Sequence, residues 1–476
     1  MSPRLPSNAV FFDSHGNART LDGAKVVVVG LGRSGVAAAR AALRFGAIVT
    51  ATDGAALDRL SPEARGLGER GATLSAGSLE AVDFSSADLV VISPGVPSFA
   101  ALRAAESRGV PVIGEIELAS RCLPGIPSIA ITGSNGKSTT TTLVGELCAA
   151  LGLSTFVGGN LGTPPTEITF DPAAPKYDAL VLEISSFQAE RIPTFQPKSA
   201  AILNVSDNHL DRYDGFESYV RAKGNLFANQ EPGDVAVAPA DDARCLAEAA
   251  RGRGRLVTFG PASTHARFAV LPDAILDRER GLRFERAAMR VAGDHNALNV
   301  AAALALVSHL DPPAELVARV LADFAGLPHR IARVARVDDV AYYDDSKGTN
   351  VGAVVAAIRG LSEKKIVLIA GGRDKLGGYE PLVDALRDRG RAAVLIGEAA
   401  DRIADAIGST VPIARAASMA EAVAAAAKLA ENGDAVLLSP ACSSFDMFRD
   451  YKDRGDQFVA AVQALVATPN NAAASC

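Results

Sequence analysis

The chain has 476 residues, with 48 Lys and Arg against 54 Asp and Glu for a net charge of −6, a length that exceeds one hydrophobic core and implies two to four domains. No Lys/Arg block marks a nucleic-acid surface, and neither a signal-peptide pattern nor a run of about 18 apolar residues marks secretion or a membrane span. Cys122, Cys148, Cys245, Cys442 and Cys476 are an odd number without CxxC spacing, which fits a reduced, cytoplasmic protein better than a disulfide or metal framework.

Along the chain, short β-branched runs alternate with Ala/Leu-rich stretches of helical period. "KVVVVG" precedes "GVAAARAALRFG", "ADLVVIS" precedes "SFAALRAAESRG", and "IPSIAIT" precedes "STTTTLVGELCAALG". The rhythm continues through "YDALVLEIS", "SAAILNV", "KKIVLIAGG", "AAVLIG" and "DAVLLSP". Fully apolar strands separated by helices indicate an α/β fold with parallel sheets covered on both faces. Three such units are expected: a Rossmann-like domain over 1–117, a central P-loop ATPase-like domain over 118–326, and a Rossmann-like domain over 327–476. The joints fall at the turn-rich "RCLPGIPS" and "FAGLPHR". A small β element is expected around "ARFAVLPDAILDRERGLRFERAAMRVAG", with Gly281 at a turn.

The first strand runs into "GLGRSG", where Gly30, Gly32 and Gly35 have GxGxxG spacing and Asp53 follows about 20 residues on. Such a loop binds a diphosphate on the amides of a helix N-terminus, with the acid on a ribose hydroxyl. NAD and other nucleotide diphosphates, UDP-sugars included, remain open at this point. The second glycine motif, "GSNGKST", places Gly133, Ser134, Asn135, Gly136, Lys137, Ser138 and Thr139 between a strand and a helix. A turn of inward amides, a lysine for the terminal phosphates and a hydroxyl for Mg²⁺ define an ATP site. The loop is shorter than GxxxxGK[ST], since Ile131 stands where the first glycine would be.

Further polar residues follow predicted strands, at the carboxyl edge where parallel sheets form sites. Glu183 ends "LVLE" as a candidate Mg²⁺ ligand. His209 and Asp211 follow "SAAILNV", and Lys223 lies on the next helix. Asn296 and Asn299 share a helical face that suits a purine edge, with helix capping as the competing role. The last unit offers His329 and Arg330, the "YYDDSKGTN" loop from Asp344 to Asn350, Lys375, and Ser443, Ser444 and Arg454.

Taken together, "GSNGKST", "EISSFQ", "NHLDRY", "HNALN", "GLPHR", "DDSKGTN" and "SPACSSFD" resemble the Mur ligases of bacterial cell-wall synthesis over nearly the whole chain, and "GLPHR" and "DSKGTN" resemble the D-glutamate-adding branch. The resemblance implies an ATP-dependent enzyme that activates the carboxylate of UDP-MurNAc-L-alanine as an acyl phosphate and joins it to D-glutamate, using two Mg²⁺ ions. It implies that the first glycine loop holds UDP rather than NAD. The UDP-substrate site would comprise Gly30, Leu31, Gly32, Arg33, Ser34, Gly35, Asp53, Ser93, Pro94, Gly95, Asn160, Ser185, Gln188 and His209. ATP would meet the loop 133–139 together with Asn296, Asn299, Arg330 and Asp345, these last three facing base, phosphate and ribose in turn. The metal set would be Ser138, Glu183, His209 and a carbamylated Lys223, with Lys137 on the γ-phosphate and Lys347 near the acyl phosphate. D-glutamate would lie among His329, Thr349, Lys375, Ser444 and Phe445. A cytoplasmic monomer without nucleic-acid or membrane partners is expected.

Overall fold

The computed structural model describes residues 9–12, 17–171, 173–206, 212–291, 293–374 and 378–467. It divides into two compact units, Met1–Phe284 with Asn299–Val320, and Glu285–Leu298 with Leu321–Cys476. The first unit holds a two-stranded antiparallel sheet, Val10–Phe12 with Ala18–Thr20, and two α/β sheets; the second holds one α/β sheet.

The leading sheet is wholly parallel, in the order Thr73–Ala76, Ile48–Asp53, Lys25–Val29, Leu89–Ile92, Val112–Gly114. The chain starts in the middle and then winds to the other side, which opens a crevice at the carboxyl ends of Lys25–Val29 and Leu89–Ile92. Gly30 and Ser93, the residues directly after these strands, therefore share one edge. Helix Arg33–Arg44 buries Ala37, Ala38, Ala39, Ala41 and Ala42. At Gly35 a side chain is impossible, because a Cβ would sit 1.8 Å from the Gly30 carbonyl oxygen.

Helix Glu115–Cys122 leads to the second sheet. Its Glu117 is fully buried yet satisfied: it pairs with Arg121 at 2.7 Å and accepts from the amides of Thr194 and Phe195 at 3.1 and 2.9 Å. Such partners offset the cost of burying a carboxylate. The second sheet has nine strands, in the order Leu282–Glu285, Ala274–Asp277, Phe268–Val270, Arg255–Pro261, Val235–Pro239, Ser199–Ile202, Ser128–Thr132, Ala179–Glu183, Thr155–Gly159. It is parallel from Thr155–Gly159 through Phe268–Val270 and turns antiparallel at Ala274–Asp277. The small β element expected from the alternating segment is thus the edge of this sheet: Phe268–Val270 covers the open ladder of Arg255–Pro261. Gly281, at φ +67°, makes the turn between its last two strands.

In the second unit the strand order is Ala332–Val337, Val340–Asp344, Ala435–Leu438, Ile366–Gly371, Gly390–Ile396, Ile413–Arg415. The first pair is antiparallel and the remainder parallel. Every residue of Ile366–Gly371 and Ala435–Leu438 is buried, as two-sided cover requires. Cys122, Cys148, Cys245 and Cys442 are buried and form no disulfide. Among the described residues no helix is long and apolar enough to cross a membrane.

Candidate active site

The strand Ser128–Thr132 ends in the loop that begins helix Lys137–Ala150. Gly133 at φ +147° and Gly136 at φ +83° take conformations that L side chains rarely adopt, which is why this turn is glycine-rich. The loop is sutured to the end of the neighbouring strand Ser199–Ile202. Asn204 accepts from the Ser134 amide on its carbonyl at 2.9 Å and from the Asn135 amide on its side-chain oxygen at 2.9 Å. The Asn204 side-chain amide donates back to the Asn135 carbonyl at 3.1 Å. Ser134 Oγ accepts from the Ser206 amide at 2.9 Å and lies 2.9 Å from the Tyr219 hydroxyl. The result is a backbone fixed in advance, as phosphate cradling requires.

Two lysines converge on one oxygen of this loop. Lys137 Nζ donates to the Gly133 carbonyl at 2.8 Å and to that of Ser134 at 3.1 Å, and Lys223 Nζ donates to Gly133 at 3.0 Å. Lys223, on helix Phe216–Gly224, is 2% exposed and lies 4.5 Å from the Tyr219 ring centroid. Burial, then the charge of Lys137, holds its amine well below the ordinary lysine range, against the opposing pull of Glu183. Glu183 closes strand Ala179–Glu183 and is 3% exposed. Its Oε1 accepts from the Asn160 side-chain amide at 2.5 Å, while Oε2 is buried without a hydrogen-bond partner. An orphaned buried carboxylate oxygen suits a hard cation, and Ser138, in the first turn of helix Lys137–Ala150, is buried as well. His209 and Asp211 lie outside the described residues.

Other expected residues occupy definite places in this unit. Asn299 sits against the phosphate loop: a Cβ at Gly136 would be 2.2 Å from its Oδ1. Ser185 and Gln188 form a capping box, with the Ser185 amide donating to Gln188 Oε1 at 2.9 Å and the Gln188 amide to Ser185 Oγ at 3.2 Å. Asp53 fastens the first glycine loop, accepting from the amides of Leu31 at 2.6 Å and Ala55 at 2.8 Å. Ser93 Oγ donates to the Gly30 carbonyl at 2.7 Å. Arg33, beside Ser34 at the start of its helix, donates to Thr163 at 3.3 Å. Pro94 and Gly95 continue the turn after Ser93.

The second unit gathers a separate polar cluster. His329, at φ +60°, has Nδ1 2.6 Å from Asp344 Oδ2. Asp345 is fully enclosed; burial pushes its carboxyl up to about 7, opposed by Ser439, which donates to Oδ2 at 2.6 Å, and by Arg330. Lys347 places its ammonium 3.9 Å from the Tyr451 ring centroid. The guanidinium of the fully buried Arg454 donates to Ser346 Oγ, Ser346 O and Cys442 O at 3.0, 2.8 and 3.2 Å, joining the Asp344–Thr349 loop to the one carrying Ser444. Ser444 is buried and Phe445 is 67% exposed. Asn350 caps helix Val351–Gly360. Asn296 lies in the opening turns of helix Asp294–Val307, and Lys375 lies outside the described residues.

Several supporting residues escaped the sequence reading: Asn204, Ser206 and Tyr219 around the phosphate loop, and Phe187, Arg212 and Tyr213 beyond Glu183. For Asn204 the signal existed, a polar residue straight after the apolar run "SAAIL". Tyr219 gave none, since an aromatic on a helix usually reads as core.

A parallel sheet with a glycine loop, two converging lysines and an orphaned carboxylate defines a phosphoryl-transfer class of enzyme, and the comparisons refine it. Family models match as Mur ligase MurD-like, N-terminal domain over residues 24–114, Mur ligase middle domain over 131–307, and Mur ligase, glutamate ligase domain over 329–442. The chain belongs to the Mur ligase family. It is 44% identical over 451 residues to a UDP-N-acetylmuramoylalanine--D-glutamate ligase of Geotalea daltonii, covering 94% of this chain and 98% of that one. It is 43% identical over 457 residues to the protein of that name in Myxococcus xanthus, covering 94% and 99%. Among solved structures, UDP-N-acetylmuramate-alanine ligase of Thermotoga maritima shares the fold at TM-score 0.57 and 20% identity, covering 93% of this chain and 99% of that one. MurF of Acinetobacter baumannii does so at TM-score 0.57 and 17% identity, covering 96% and 93%.

Proposed function

We propose that this chain joins D-glutamate to the terminal carboxylate of UDP-N-acetylmuramoyl-L-alanine, cleaving ATP to ADP and phosphate, as a cytoplasmic step of peptidoglycan precursor synthesis. The reading rests above all on the "GSNGKST" loop with Lys137 and Lys223 meeting at the Gly133 carbonyl 3.0 Å or less away, in a chain 44% identical to ligases of that name.

The amides of residues 133–139 and the Lys137 ammonium bind and orient the triphosphate. The γ-phosphoryl passes to a substrate carboxylate oxygen, giving an acyl phosphate and ADP. The D-glutamate amine then attacks the acyl carbon; an amide forms, phosphate leaves with the bridging oxygen, and the ammonium proton is released. Ser138, Glu183, His209 and a carbamylated Lys223 would hold two Mg²⁺ ions, which supply charge neutralisation among the anionic reactants. Burial favours the uncharged Lys223 amine, the form that adds to CO₂, and the carbamate so formed would offer an oxygen ligand.

Residues 30–35, Asp53, Ser93, Pro94 and Gly95 would receive the UDP moiety, with Asn160, Ser185, Gln188 and His209 toward the muramoyl end. By the family resemblance, Asn296, Asn299, Arg330 and Asp345 are assigned to ATP and Lys347 to the acyl phosphate. D-glutamate binds among His329, Thr349, Lys375, Ser444 and Phe445, where an ammonium and hydroxyls suit two carboxylates. The domains are taken as 1–117, 118–326 and 327–476, and the enzyme as a monomer.

The test is ADP release with UDP-N-acetylmuramoyl-L-alanine and a panel of D-glutamate, L-glutamate, L-lysine and meso-diaminopimelate. D-glutamate alone should stimulate it. Stimulation by diaminopimelate instead would assign the chain to a different branch of the family.

A further inference from the structure

Arg212 stands directly after the segment that carries His209 and reaches two other parts of the first unit. Its guanidinium carbon lies 4.3 Å from the Phe187 ring centroid, and its Nη2 donates to the Val96 carbonyl at 2.9 Å. Phe187 also stacks on Tyr213, the centroids 5.9 Å apart and the rings 10° from parallel. Phe187 belongs to the short helix Ser186–Ala189, which begins three residues after Glu183. Val96 closes the turn after strand Leu89–Ile92, its amide donating to the Ser93 carbonyl at 3.1 Å. That turn is itself fixed to the first glycine loop: Ser93 Oγ holds the Gly30 carbonyl, and a Cβ at Gly30 would meet Val96 Cγ2 at 2.5 Å. One half-buried cation therefore bridges the glycine loop's supporting turn and the short helix that follows the candidate metal ligand Glu183. Between them lies a cavity of about 290 Å³ lined in part by Ser93, Pro94, Val96, Phe187, Arg212 and Tyr213.

We propose that Arg212, clamped between the Phe187 ring and the Val96 carbonyl, is a positioning residue that sets the affinity for the uridine-linked substrate by holding the Ser93–Val96 turn against the glycine loop. The inference rests on the function proposed above. A planar guanidinium suits this place because it stacks on a ring face and still directs an N–H in the ring plane toward a carbonyl; an ammonium cannot stack in this way. The charge is spent on positioning, so the residue acts through the turn and not on the transferred phosphoryl.

Steady-state kinetics of ADP release on the full-length protein separate the possibilities. Arg212→Ala should raise KM for the uridine-linked substrate by an order of magnitude or more, with kcat and the KM for ATP changed less than about threefold, the signature of lost binding without lost chemistry. Arg212→Lys should fall between. Phe187→Leu, which keeps apolar bulk and removes the π face, should raise the same KM, and combining it with Arg212→Ala should add little, as expected for residues acting as one unit. A fall in kcat at unchanged KM, an equal rise in the ATP KM, or full additivity of the two substitutions would overturn the proposal. If the unaltered protein shows no turnover with the uridine-linked substrate, the proposed function itself fails, an outcome distinct from any of these.

Discussion

Lys223 is the side chain whose chemistry depends most on its surroundings. A lysine amine enclosed to this degree has its charged form penalised, and the neighbouring Lys137 adds to the penalty. An uncharged amine can add to CO₂, losing a proton and gaining a carboxylate-like end. If that carbamate supplies an oxygen ligand, Lys223→Ala should lower ADP release by on the order of 10²-fold or more, comparable with removing one preorganised transition-state contact. Millimolar formate or acetate should then restore part of the activity, because a small carboxylate fits the space vacated by the side chain. Loss without any rescue, together with full wild-type activity in CO₂-depleted buffer, would contradict the role. At this scale the sequence was informative wherever chemistry lies next to a strand end: Lys137, Glu183 and Asp345 each follow an apolar run. It was silent where the function of a residue depends on distant partners. Spacing offers Asp53 as a ribose ligand but does not show that it also fastens the glycine loop through the Leu31 amide, 22 residues away. For Asp345 the motif gave the candidate but not its enclosure or its hydrogen bond from Ser439, which comes from 94 residues away.

Helix Glu115–Cys122 carries two buried carboxylates treated in opposite ways. Glu117 has an arginine partner, whereas Glu115 has only the Thr166 amide and hydroxyl, at 2.8 and 2.6 Å, on Oε1, and its Oε2 is buried without a partner. Burial outweighs those two hydrogen bonds and pushes Glu115 from 4.5 up to about 7. Between these values the folded chain holds a proton that the unfolded chain has released, so stability falls as pH rises from about 4.5 to about 7 and stays reduced above that. Glu115→Gln keeps an acceptor for Thr166 and abolishes the titration. The variant and the wild type should therefore have similar Tm values near pH 5, and the variant should be the more stable at pH 8, by on the order of 3 kcal/mol at most. Differential scanning calorimetry across that range checks it; parallel Tm profiles would show that Glu115 does not titrate in this window. The alternation of apolar strands and helices told the element types from sequence, because a two-sided parallel sheet leaves long apolar runs. It could not place the Phe268–Glu285 strands, since alternation describes a half-exposed ladder without saying which edge it joins.

For the whole molecule, the three α/β sheets each present a loop cluster at the carboxyl ends of their parallel strands, and the glycine motifs sit on those loops. Strand order accounts for this: in the leading and central sheets the chain reverses its winding beside Lys25–Val29 and Ser128–Thr132, so the two glycine loops open at switch points. Motif spacing made the loops legible from sequence, and the family resemblance supplied their division of labour. The suture by Asn204 and the link through Arg212 were hidden because each spans more than 60 residues of chain. The central claim is that the substrate carboxylate is activated by phosphorylation before the amide forms. Turnover with UDP-N-acetylmuramoyl-L-alanine labelled with ¹⁸O in both terminal carboxylate oxygens, followed by mass analysis of the phosphate released, tests it most directly. An acyl-phosphate route leaves one ¹⁸O in each phosphate; phosphate free of label would contradict it.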